Sequence, residues 1–164
     1  KNFVGLLNAW HSSTFLRKEF TLICFGGGPL TRSEKSTLSS LNIAPDEVTA
    51  IQGGDDILSW LYEQAACFVH PSLYEGFGIP LLEAMSKNCP IACSNQSALP
   101  EVAGDAATYF DPNDPLSMAS ALEQLLLSEE NRSNAISKGR LRVQEFSWEK
   151  CALDTLKVYE NSLA

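Results

Sequence analysis

The amino-acid sequence predicts an α/β protein, with a Rossmann-like parallel sheet covered by helices on both faces. Short apolar runs alternate with helix-like segments along the chain. Each run is continuous rather than alternating in polarity, which is typical of strands buried on both faces of a parallel sheet. At 164 residues the chain suits one domain, residues 1–164, with a substantial core.

The apolar runs are the predicted strands, at residues 20–25, 47–52, 67–70, 90–93 and 107–110. Glycine-rich or polar segments follow the first four, at residues 26–28, 52–54, 70–78 and 94–97. Ligands of parallel sheets lie beyond the carboxyl ends of the strands. These segments are therefore expected to converge on one ligand-binding edge.

Apolar residues three or four positions apart predict the helices. The predicted ranges are 3–15, 33–41, 57–66, 81–87, 98–102, 116–127, 129–144 and 148–163. Asp55 or Asp56 is expected to cap the third helix, and Ser147 the last. The expected buried face of the third helix is Leu58, Leu61, Tyr62 and Ala65. The expected packing stripe of the last helix is Trp148, Ala152, Leu156 and Tyr159.

No predicted strand precedes the helix that begins near Phe3, although the first strand of a doubly wound sheet is central. We therefore expect an upstream strand to lie outside this chain. Its two neighbours would then have unpaired edges, which favour dimerisation or aggregation.

The charge balance bears on partners. There are 12 Lys and Arg residues against 20 Asp and Glu residues, a formal net charge of −8. This argues against general nucleic-acid binding, which needs a basic surface. A phosphate site in this chain must be made locally positive by backbone dipoles and one or two placed cations.

The cysteines and the hydropathy indicate the cellular compartment that is expected for this chain. The five cysteines lack paired metal-ligand spacing, and most lie in or beside apolar runs, where cysteine acts as a small hydrophobe. They are expected to be free thiols in a reducing cytoplasm, with no metal site. No signal peptide and no apolar run near 20 residues is visible, so no membrane span is expected.

The most informative segment is residues 70–84, between a strand and a helix. Gly76 and Gly78 have no Cβ, so a ligand can approach their backbone closely. Pro80 suits a first helical turn. Because the first N–H groups of a helix are unpaired and positively polarised, this turn is a candidate anion site with Glu75 before it and Glu83 beyond it.

The two carboxylates suit a ligand with hydroxyls on both sides of a phosphate, such as a nucleotide sugar. An ordinary strand–loop–helix with Glu75 and Glu83 simply solvated is the alternative. The glycines at 26–28 either admit a ligand or only form a flexible turn. His70 is either a general base, although it lacks an obvious partner in the sequence, or a structural histidine.

Several segments in order resemble the retaining glycosyltransferases of family 4, which have the GT-B fold. The string PSLYEGFGIPLLEAM at 71–85 is similar to their Glu-x7-Glu signature, and FGGG at 25–28 to their glycine turn. PIACSN at 90–95, LPEV at 99–102 and FSW at 146–148 resemble further motifs of the family. Lys1-Asn2 resembles the loop that leads into the first helix.

The resemblance implies roles for individual residues. Glu75 would bind donor-sugar hydroxyls as the catalytic carboxylate, Glu83 the ribose, and Lys1 the diphosphate. The family's companion arginine is absent from this chain. The donor-binding set implied is Lys1, Gly26, Gly27, Gly28, Gln52, Ser72, Gly76, Phe77, Gly78, Ile79 and Glu83. No metal or other cofactor is implied.

The implied reaction is transfer of a hexose, with retention, from a nucleotide sugar to a saccharide or lipid-linked acceptor. GDP-mannose is the first expectation for the donor and UDP-glucose the second. The acceptor would be held by an N-terminal domain upstream of Lys1, so this chain alone is expected to be inactive. Peripheral association of the full protein with a membrane is compatible with this reaction.

Two alternatives stay open at this point. The chain is also interpretable as a non-catalytic nucleotide-sugar-binding or regulatory module. Hydrolysis by a glycosidase-like pair needs the two carboxyls to face each other about 5–9 Å apart. It is disfavoured because Glu83 is expected beyond the anion site, where it fits ribose binding better.

Overall fold

A computed structural model describes residues 1–162. Its strands are β1 (Leu22–Phe25), β2 (Val48–Ile51), β3 (Phe68–His70), β4 (Ile91–Ser94) and β5 (Ala107–Phe110). The predicted strands are all confirmed, although most are shorter than their apolar runs. All pairings are parallel, as predicted.

The strands form two sheets rather than one. β1 pairs with β2, and β4 lies between β3 and β5. Within residues 1–162, β1 pairs only with β2 and β3 only with β4, so each has an edge that no strand covers. The α/β fold class is confirmed, and the expected unpaired strand edges are present among the described residues.

The helices follow the predicted order. Their bounds are α1 (Phe3–Ser12), α2 (Thr14–Glu19), α3 (Arg32–Ser40), α4 (Asp55–Gln64), α5 (Ile79–Ser86), α6 (Leu99–Ala103), α7 (Pro115–Leu127), α8 (Glu129–Val143) and α9 (Trp148–Ser162). A 3₁₀ turn, Gly104–Ala106, joins α6 to β5. In the part of the chain that the structure describes, no helix combines the length and apolar character needed to cross a bilayer.

Several helix boundaries differ from the prediction by a few residues, and two of these differences have a clear local cause. The first helix is divided at Ser13, whose backbone is extended and whose hydroxyl accepts the N–H of Leu16 at 3.1 Å. α4 begins at Asp55 with Gly54 as its N-cap, so neither Asp55 nor Asp56 caps it. The hydrogen bond at Ser13 and the extended backbone of Gly54 determine where these helices begin. The spacing of apolar residues contains no information about either feature.

Layers of helices cover both faces of the larger sheet. Along β4, Ala92 faces a cluster that includes Leu7 and Leu122, from α1 and α7. Ile91 and Cys93 face the opposite cluster, which includes Leu81 of α5. All six of these side chains are essentially inaccessible. Burial on both faces explains why this strand is continuously apolar.

The predicted face of α4 is confirmed except at one residue, and that of α9 is wrong. In α4, Tyr62 is buried and Leu58 packs against the same cluster, but Ala65 is an exposed C-terminal cap. In α9, no residue among those described is buried, and Trp148 and Tyr159 are 80% and 63% exposed. An amphipathic pattern shows that one helix face is apolar, but not that its partner lies nearby in the same chain.

The α9 cap is as predicted, because the Ser147 hydroxyl accepts the N–H of Lys150 at 3.0 Å. The predicted end of this helix, Leu163, lies outside the described residues.

Candidate functional site

The loop from β3 to α5 is the centre of the candidate site. Ser72 is buried while Tyr74 is 81% exposed. Gly78 caps α5 with φ = +114°, and a Cβ there would lie 2.9 Å from Leu99 Cδ2. Glycine is therefore required twice over, by backbone conformation and by space. Pro80 lies in the first turn of the helix, as predicted.

The backbone N–H groups of this loop are available. Within residues 1–162, those of Gly76, Phe77, Gly78 and Ile79 donate no hydrogen bond to the protein. A Cβ added at Gly76 would have no neighbour within 4 Å, so the loop backbone borders open space. Four unpaired donors at the start of α5 can bind an anion.

Glu75 lies at the centre of a polar cluster. Its Oε1 accepts hydrogen bonds from Lys1 Nζ at 2.6 Å and from Ser72 Oγ at 2.8 Å. His70 Nε2 lies 3.2 Å from the same oxygen. Three of the predicted site residues, Lys1, Ser72 and Glu75, are thus brought together across 74 positions of sequence.

The electrostatics of the cluster favour an ionised Glu75 and a neutral His70. The hydrogen bond from Lys1, aided by Ser72, holds the pKa of Glu75 at about 2. Burial, and then the charge of Lys1, lowers the pKa of His70. An ionised carboxylate can only accept, so His70 Nε2 carries the proton between them. His70 therefore orients Glu75, which supports the structural alternative for this histidine.

Ser97 is a site residue that the sequence analysis did not single out. Its hydroxyl donates to the carbonyl of Glu75 at 2.5 Å and accepts the N–H of Glu75 at 3.2 Å. Ser97 follows β4, whereas Glu75 follows β3. The two loops therefore meet at the carboxyl edge, as expected from the parallel topology.

The loops after β1 and β2 also meet. Gly26 and Gly28 have φ values of +83° and +76°. A Cβ at Gly28 would lie 3.7 Å from Gln52 Nε2, whereas one at Gly26 or Gly27 would have no neighbour within 4 Å. These predicted donor-binding residues form an open backbone surface beyond the smaller sheet.

Glu83 and Ile79 lie on α5. The Glu83 side chain is exposed, and its partner is the hydroxyl of Tyr62 at a long 3.4 Å. Ile79 is 46% exposed in the first turn. Among the hydrogen bonds of residues 1–162, none joins Glu83 to the Glu75 cluster. The two carboxylates therefore have separate environments, and Glu83 is available to a ligand.

The cysteines are free, and burial raises the pKa of Cys93 to about 12. In the described part of the chain, no group of three or more His, Cys, Asp or Glu side chains is placed to hold a metal ion.

The fold is that of the GT-B glycosyltransferases. Sucrose-phosphate synthase from Thermosynechococcus elongatus superposes with a TM-score of 0.80 at 26% identity, covering 98% of this chain and 42% of that chain. Residues 1–142 match the family "Glycosyl transferases group 1". The chain belongs to this family.

Two of the curated relatives are named as mannosyltransferases. O-antigen chain mannosyltransferase B of Escherichia coli is 44% identical over 106 residues, which cover 65% of this chain and 28% of that protein. The MMP alpha-(1->4)-mannosyltransferase of Mycolicibacterium hassiacum is 36% identical over 131 residues, covering 77% of this chain and 32% of that protein. The matches thus span about a third of the length of these relatives.

Proposed function

We propose that this chain is the donor-binding half of a retaining glycosyltransferase, which moves a hexose from a nucleotide diphosphate sugar to a saccharide or lipid-linked acceptor. The observation that carries the proposal is the set of N–H groups from Gly76 to Ile79, which have no hydrogen-bond acceptor within residues 1–162, beside an ionised Glu75. Membership of the glycosyltransferase family supports the reaction class.

The roles follow from charge and geometry. The loop N–H groups bind the diphosphate and the adjoining sugar, and Glu75 accepts hydrogen bonds from sugar hydroxyls. Lys1 lies against Glu75, where it can also contact a diphosphate oxygen. When the sugar–phosphate bond breaks, negative charge grows on the departing diphosphate. Lys1 and the start of α5 stabilise that charge because both are already in position.

The remaining predicted residues bind the nucleoside. Exposed Glu83 accepts the ribose hydroxyls, Gln52 borders the base, and Gly26, Gly27 and Gly28 let ligand atoms approach the backbone. This division of labour also argues against a glycosidase-like pair, because the two glutamates have different partners.

The donor we propose is GDP-mannose, with UDP-glucose second. Support comes from the names of the relatives, which include O-antigen and MMP mannosyltransferases. A thermal-shift panel of GDP, UDP, ADP and their sugars tests this assignment, since a ligand that binds the folded state raises its melting temperature. Stabilisation by GDP and GDP-mannose alone is expected; no shift with any of these ligands would contradict donor binding.

Replacing Glu75 with glutamine separates transfer from binding. Glu75→Gln is expected to reduce glycosyl transfer by the full polypeptide at least about 100-fold, because a charged acceptor for the sugar is lost. Affinity for the nucleoside diphosphate should stay within a factor of about three, since Glu75 faces the sugar. Equal loss of transfer and nucleotide affinity would refute the assigned role. Donor binding without any transfer by the unaltered protein would favour the non-catalytic module.

A further inference from the structure

An aromatic contact links the donor loop to the connection between α8 and α9. The Phe77 and Phe146 rings have centroids 5.9 Å apart and meet edge-to-face at 83°. Phe77 belongs to the loop whose N–H groups are unpaired, and Phe146 lies 69 positions further along, just before α9. Such pairs stabilise a particular geometry beyond simple burial.

Arg142 fixes Phe146 from the other side. Its guanidinium carbon lies 4.9 Å from the Phe146 centroid. The same guanidinium donates from Nε to the carbonyl of Val102 at 2.9 Å and from Nη2 to that of Glu101, and it forms an ion pair with Glu145. Because Arg142 is anchored to α6, the ring of Phe146 has a fixed support.

These side chains also form the walls of a hollow of about 220 Å³ next to the loop. Gly76, Phe77, Arg142 and Phe146 are among the residues that line it. The hollow leaves the backbone at Gly76 with little packing of its own. Ser97 restrains Glu75 through two hydrogen bonds, and the aromatic pair adds a restraint at Phe77, the second residue after it.

We propose that Phe146, held by Arg142, is a positioning residue that keeps the N–H groups of Gly76, Phe77 and Gly78 aligned for a diphosphate. The proposal rests on the proposed function of this loop. It has a structural consequence, because Ser147 caps α9 immediately after Phe146. A displacement of α9 would therefore be transmitted to the donor loop through the aromatic pair.

The test measures loop order and ligand affinity in the same 164-residue chain. Phe146→Ala should lower the backbone order parameters of residues 76–78 and leave those of residues 26–28 unchanged. Phe146→Tyr keeps the ring and should restore wild-type order. Trp148→Ala, which removes an exposed aromatic two positions away, is the matched control and should change neither segment. Unchanged order at residues 76–78 in Phe146→Ala would overturn the proposal.

Affinity provides the second measurement. Phe146→Ala should weaken binding of GDP or UDP about 3- to 10-fold, the size expected for an aromatic pair, while affinity for guanosine or uridine stays the same. Equal weakening of nucleotide and nucleoside would indicate general destabilisation and overturn the positioning role. If the unaltered chain binds neither diphosphate, the proposed function fails, while the order parameters still decide whether Phe146 restrains the loop.

Discussion

At the scale of single residues, the ion pair between Lys1 and Glu75 controls the charge of the site. The amino group lies 2.6 Å from Oε1, although the Lys1 side chain is 73% exposed. Lys1→Met should raise the pKa of Glu75 from about 2 towards its ordinary value of 4.5, because the largest cause of the lowering is removed. Carboxyl NMR titration of Glu75 measures this change.

The same substitution should change the salt dependence of binding. Without Lys1, GDP affinity is expected to fall and to depend less steeply on salt, since one cation facing the diphosphate is lost. Lys18→Met is the control, because Lys18 is an exposed lysine paired with its neighbour Glu19. An unchanged salt slope in Lys1→Met would exclude Lys1 from the phosphate site.

The ion pair between Arg17 and Glu47 is expected to stabilise the folded chain. Arg17 donates from Nε and Nη2 to the two Glu47 oxygens at 2.8 and 2.9 Å, and the N–H of Ala44 donates to Oε1 at 2.8 Å. These bonds, with Arg17 the largest cause, hold the pKa of Glu47 at about 2. Glu47→Gln is therefore expected to lower the free energy of unfolding near neutral pH by about 1–2 kcal/mol.

The sign of the pH dependence follows from the lowered pKa. The contribution of Glu47 is fully present above its unfolded pKa of about 4.5 and is lost as the pH falls towards its folded pKa of about 2. Urea unfolding at several pH values should show the wild type and Glu47→Gln converging in acid. Glu19→Gln, at an exposed residue, should have almost no effect at any pH. A constant difference at all pH values would contradict the ion-pair explanation.

At the scale of elements, the start of α5 depends on two glycines with different duties. Gly78→Ala places a Cβ at φ = +114° and 2.9 Å from Leu99, so we expect a loss of stability of about 1–3 kcal/mol. Gly76→Ala meets no neighbour within 4 Å and should leave stability nearly unchanged. Its methyl group projects into the space proposed for the donor, so diphosphate affinity should fall. Thermal unfolding and GDP titration of both variants separate these effects, and equal stability losses would contradict the assignment.

The sequence predicted those features of the elements that depend on neighbouring residues. Gly78, Pro80 and the helix after them follow from local backbone chemistry, and the Ser147 cap does as well. The bonds from Ser97 to Glu75 join residues 22 positions apart, and no local pattern reports them. His70 and Glu75 are only five positions apart, but their contact depends on how the loop turns back after β3.

At the scale of the whole molecule, parallel topology explains why the predicted site segments could be placed together. The unpaired strand edges were also expected, because no strand is predicted before the first helix, whereas local apolar runs do not specify which strands are neighbours. The result is two sheets whose edges at β1 and β3 are unpaired within residues 1–162. Such edges can pair with strands of another molecule.

We therefore predict weak self-association of this chain through a sheet edge. The net charge of −8 opposes contact between copies, so sedimentation velocity should show more dimer at high salt than at low salt. Ile23→Lys, in β1 at a side chain 46% exposed, should shift the chain towards monomer because a charge on an edge strand resists pairing. Tyr159→Lys introduces the same charge on the exposed face of α9 and should not. If Tyr159→Lys, and not Ile23→Lys, shifts the chain towards monomer, the interface lies on α9. A chain that stays monomeric at every protein and salt concentration would refute edge pairing.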